Sequence, residues 1–115
     1  MVTVEGNVAN RAHTEAEFSG PPQAALARAQ DAALRIPRAH LRSSTDEAVE
    51  VAVGMTFKSW GEVVRISAQA REKKTLLQIE SRSKMAITLA DWGKNRRNVE
   101  TVLEGLQGSP DTFST

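Results

Sequence analysis

The sequence contains no cysteine and no tyrosine. Without thiols there is no disulfide, no thiolate nucleophile and no cysteine-ligated zinc, and the chain suits a reducing compartment. Aromatic side chains are scarce, two Trp and three Phe in 115 residues, so the core has to be assembled from Val, Leu, Ile and Ala. Side chains that small require the elements carrying them to approach closely. A charge excess is missing too: fifteen Lys and Arg against fourteen Asp and Glu leave +1, too little for a long-range field that would recruit nucleic acid or an acidic membrane. No apolar run approaches the roughly 20 residues of a membrane span. The start, Met1-Val2-Thr3-Val4-Glu5-Gly6, lacks the basic and apolar sections of a signal peptide, so a cytoplasmic location is expected.

What remains is ordinary globular material, 40% hydrophobic and 25% charged, at a length that suits one core rather than two. The expected layout is an N-terminal segment over 1–10 that is a mobile tail or an edge extension, a single domain over 11–108, and a tail over 109–115. From Arg11 to Phe18, Thr14, Ala16 and Phe18 alternate with His13, Glu15 and Glu17, the period of a half-buried strand. Ser19-Gly20-Pro21-Pro22 breaks that strand and opens a helix, because proline in a first turn loses no hydrogen bond. The helix should run to about residue 35 with Ala25, Leu26, Ala29, Ala32, Ala33 and Ile36 on its inner face, and Pro37 should stop it.

Leu41 to Asp46 reads as a short polar connection. Val49, Val51, Val53 and Met55 then alternate with Glu50, Ala52 and Gly54 as a second strand. Val64, Ile66, Ala68 and Ala70, a turn at Glu72-Lys73-Lys74, then Leu77 and Ile79 form a hairpin with one polar face. Val99, Val102, Leu103 and Leu106 fit the i, i+3, i+4, i+7 stripe of a last helix over about 93–107, closed by Gly108 and Pro110. One-sided polarity marks an antiparallel sheet with one covered face. The expected fold is therefore α+β: an antiparallel sheet of four or more strands with two helices on one face, in the order β-α-β-β-β-α.

Chemistry is harder to find. The glycines are scattered singly, so no phosphate-binding loop of known pattern is present. No serine occupies a nucleophile-elbow context. His13 and His40 share no metal-ligand spacing. No cofactor, metal site or enzymatic activity is expected, although His13, Glu15 and Glu17 share a strand face that could bring an acid beside a base. One local feature stands out in Asp91-Trp92-Gly93-Lys94-Asn95-Arg96-Arg97-Asn98, which sets three cations in the first turns of the last helix. Each opposes the helix dipole by about 0.3–1 kcal/mol when exposed. With Arg82 and Lys84, these residues (Lys94, Arg96, Arg97) form a candidate anion-binding corner, and Trp60 is a candidate stacking platform beside it. The plain alternative is that Asp91 caps the helix and Arg96 and Arg97 pair with Glu100, while Asn95 ties the helix start to a strand carbonyl.

Ser81-Arg82-Ser83, Asp91-Trp92-Gly93-Lys94-Asn95 and the amphipathic helix after them resemble the C-terminal half of small bacterial domains of unknown function. In those a strand ending in Ser-Arg leads into an Asp-x-Gly-x-Asn helix start. The resemblance implies a bacterial protein of the same fold and brings no catalytic residues. The function expected is that of a binding or interaction domain for a small apolar ligand or a protein partner, with anion or single-stranded nucleic-acid binding at the basic corner as the alternative.

Overall fold

The computed structural model describes residues 5–8, 11–54, 61–84 and 94–107. Six strands and two helices follow in the order β1 (Glu5–Val8), β2 (Arg11–Phe18), α1 (Pro22–Ala33), β3 (Ala39–Ser44), β4 (Ala48–Val53), β5 (Glu62–Arg71), β6 (Lys74–Ser83) and α2 (Lys94–Gln107). The strands form one antiparallel sheet ordered β1-β2-β6-β5-β4-β3. Both helices pack on the same face of it and against each other. The expected architecture is thus present, with two strands added.

One of these is β1, which extends the sheet edge beside β2 where the sequence left a tail or an edge extension open. The other is β3, which replaces the expected polar connection at Leu41 to Asp46. From His40 to Ser44 every residue of β3 is exposed. An edge strand with neither face covered has no period-2 pattern to betray it, and its strand geometry comes from pairing with β4, Ala39 opposite Val53 and Leu41 opposite Val51. Thr45 makes the reversal between them: its hydroxyl accepts from the Glu47 and Ala48 amides and donates to the Ala48 carbonyl, the local bonding by which Ser and Thr build turns.

The remaining boundaries follow simple local causes. In α1, Pro21 is the N-cap, Pro22 takes the first turn, and no side chain caps the helix. After Ala33 the chain tightens, with the Arg35 and Ile36 amides donating to the Ala32 and Ala33 carbonyls, and Ile36 stays buried just before Pro37. The β5–β6 hairpin turns on Glu72 and Lys73, Arg71 pairing with Lys74. Glu72 sits at φ 50, a left-handed value that such turns usually assign to glycine.

The core is Ala- and Val-rich. Gly105 of α2 lies directly over Ala32 of α1, where a Cβ would overlap the Ala32 Cβ and come within 3.0 Å of its Cα. The backbone of α2 therefore rests on the Ala32 methyl of α1, a close approach that helps a chain poor in aromatics to close its interior. Ala25, Ala29, Ala33, Val51, Val53, Val64, Ile66, Leu77, Val99 and Val102 are all 0% exposed. These residues form the closely packed layer between sheet and helices.

Candidate functional site

The basic corner divides between the two sides of the sheet. On β6, Ile79 and Ser81 are buried, and Ser81 and Ser83 both hydrogen-bond to Asn95 of α2, so the odd positions face the helices. By alternation Glu80 and Arg82 face the opposite, open side. The structure thus separates Arg82 from Lys94, Arg96 and Arg97. Lys84 is exposed just past the strand, its amide donating to the Gly61 carbonyl. Lys94 turns inward and pairs with Glu62 at 3.5 Å. Arg96 pairs with Glu100 at 3.4 Å, one turn along the helix, and Arg97 also has a partner. Trp60, Asp91, Trp92 and Gly93 lie outside the described residues.

Beneath the start of α2 is a polar cluster that the sequence did not disclose. The Glu62 side chain is 0% exposed. Its Oε1 accepts from Asn98 Nδ2 at 3.1 Å, and Asn98 Nδ2 also donates to Ser81 Oγ at 3.1 Å. The Ser81 hydroxyl donates to Asn95 Oδ1 at 2.7 Å, and Asn95 Nδ2 donates to Ser83 Oγ at 3.1 Å. Asn95 therefore ties the helix start to strand hydroxyls. Leaving a carboxylate buried without partners would be severe; here every group in the chain is engaged, and the cluster fixes α2 to β5 and β6 at one register. A network closed in this way holds structure and offers no open position to a ligand.

The open face of the sheet differs. The helices cover only one side, and on the other a groove of about 590 Å³ is lined by Arg11, His13, Glu15, Arg65, Gln78 and Glu80 among others. Strand register builds it: His13 stands opposite Glu80, Glu80 opposite Arg65 and Arg65 opposite Glu50. The result is a row in which Glu80, Arg65 and Glu50 alternate in charge across three strands, with His13 beside Glu80 on a fourth. Arg65 Nη1 donates to Glu50 Oε2 at 2.9 Å, Arg42 reaches Glu50 at 3.8 Å, and Arg11 lies 3.9 Å from Glu80. One row along, Gln78 Nε2 donates to Glu15 Oε2 at 3.2 Å. Pairs this exposed contribute about 0–1 kcal/mol each, so their effect on stability is slight, and what they define is a patterned surface. His13 and Glu15 share this groove, as the sequence implied, but neither hydrogen-bonds the other among the described residues; Glu17 instead lies 3.8 Å from Lys74. Among the described residues no group of three His, Asp or Glu is placed to hold a metal ion, and no helix is long and apolar enough to cross a membrane.

No family model and no curated protein matches the chain. Solved structures do share its fold. The crystal structure of protein Ms6760 from Mycobacterium smegmatis aligns over 100% of this chain and 99% of its own, with a TM-score of 0.63 at 8% identity. A solution structure of a protein from Arthrobacter aurescens aligns over 97% and 95%, with a TM-score of 0.59 at 12% identity. The solution structure of CalU16 from Micromonospora echinospora aligns over 99% and 81%, with a TM-score of 0.56 at 11% identity. At such identities the likeness concerns the fold alone.

Proposed function

We propose that this domain is a non-catalytic interaction module that holds a protein partner against the open face of its sheet. The observation that supports it is the contrast between the two faces: the helix side is a layer of buried apolar side chains, whereas the side away from the helices carries a groove edged by charges in register. Of the two ligands the sequence allows, a small apolar molecule is the less suited, because most of the core side chains between sheet and helices are fully buried. A polypeptide laid over the open face has both room and hydrogen-bonding groups to meet. Alternating charges favour one alignment of a complementary surface and disfavour shifted ones, which gives specificity more than affinity. The basic corner supports anion binding less well, because Arg82 is on the other side of the sheet and Lys94 and Arg96 are paired.

The test fills the groove without breaking its ion pairs. Ser67 lines it and forms no ion pair, so Ser67→Trp should abolish co-purification of the partner from the producing cells while Ala27→Trp, on the exposed side of α1, leaves it unchanged. Loss with Ala27→Trp and retention with Ser67→Trp would refute the proposal.

A further inference from the structure

The groove is electrically polar along the strands as well as across them. Along β2 the outward residues run Arg11, His13, Glu15, Glu17, basic to acidic, and the first three of them line the groove. At the basic end Arg11 stands directly opposite Arg82 of β6, and Arg82 has no carboxylate partner among the described residues. Like charges directly opposed on neighbouring strands repel, and the 3.9 Å approach of Glu80 to Arg11 compensates only one of the two. Two arginines at facing strand positions supply the kind of donor that a carboxylate satisfies. At the other end Glu15 receives a single amide donor, from Gln78, and can accept from a cation. Between them the His13–Glu80–Arg65 row offers donors and acceptors without a strong net charge.

Resting on the proposed docking face, we infer that the partner presents an extended segment carrying an acidic residue four positions from a basic one. The acid sits on Arg11 and Arg82 and the base on Glu15. The spacing follows from β geometry: Arg11 and Glu15 are four strand residues apart, about 13 Å at ~3.3 Å per residue, the same distance that separates the outward charges of an extended segment.

The experiment is an amide NMR titration at low salt with three blocked peptides: Asp-Thr-Gln-Thr-Lys, its isomer Thr-Asp-Lys-Gln-Thr with the charges adjacent, and Asp-Thr-Gln-Thr-Asp. The first should give saturable shifts in residues 11–17 and 76–82 and bind about tenfold more tightly than the other two. Arg11→Gln with Arg82→Gln, both at exposed positions, should weaken it about tenfold. Equal affinity for all three peptides, shifts confined to α1 or α2, or no saturable shift would each overturn the inference. Should the peptides fail while Ser67→Trp still removes the partner, the segment is wrong and the docking face stands; should both fail, neither stands.

Discussion

Replacing Gly105 by alanine sets helix propensity against packing, and the structure decides the sign. In the interior of an exposed helix the change would stabilise by about 1 kcal/mol, since glycine is the poorer helix former by that much. In α2, however, the new Cβ would overlap Ala32 Cβ and crowd its Cα at 3.0 Å, and neither atom can rotate away as the tip of a long side chain could. Relief requires the helices to part, loosening contacts made by Ala29, Ala33, Val102 and Leu106, all buried. Forcing a methyl into a filled interior costs roughly 1–3 kcal/mol, occasionally more, and contact with backbone puts this site at the upper end. The net expectation is a loss of about 1–2 kcal/mol, seen as a fall in Tm of about 3–8 °C and a lower urea midpoint at unchanged slope. Ala32→Gly in the same chain removes the opposing methyl, so the double variant should recover part of the loss, a coupling visible in a double-mutant cycle. A Gly105→Ala protein more stable than the parent would refute the reasoning, because propensity would then have outweighed contact.

Glu62→Ala strips the buried cluster of its carboxylate, leaving Asn98 Nδ2 with Ser81 alone and the Lys94 ammonium without its partner; a loss of about 3 kcal/mol is expected in urea denaturation. Glu72→Gly relieves a left-handed turn residue and should stabilise by about 0.5–1 kcal/mol in thermal melts. Arg65→Ala breaks an exposed pair at 2.9 Å and should cost less than about 1 kcal/mol, a difference that shrinks as salt is raised.

The elements with one buried face were legible in the sequence because burial writes a period. In β2, Ala12 and Thr14 are inside and His13 and Glu15 outside. The inward stripe of α1 is Ala25, Leu26, Ala29, Ala32 and Ala33, and that of α2 includes Val99, Val102, Leu103 and Leu106. Where no face is covered the signal vanishes, and β3 read as a connection for that reason. Glu62 stayed hidden for a different one: a lone carboxylate beside valines announces nothing until α2, 36 residues later at Asn98, brings its partner. Asn95 and Asn98, one turn apart on the inner face of α2, were the available hint of a buried polar contact. Arg82 could have been placed correctly, since the alternation that turns Ile79 and Ser81 inward turns Arg82 away from the helix whose cations it was grouped with. The groove itself needed strand register, because His13, Glu80 and Arg65 come from three strands whose neighbours are set by the order of the sheet.

The docking face is tested most directly by photo-cross-linking in the producing cells, with a photoreactive residue placed in turn at Ser67 and Gln78 in the groove and at Ala27 and Glu104 on the exposed sides of the two helices. A discrete cross-linked protein species is expected from Ser67 and Gln78 and none from Ala27 or Glu104. Cross-links from the helix positions with none from the groove would contradict it.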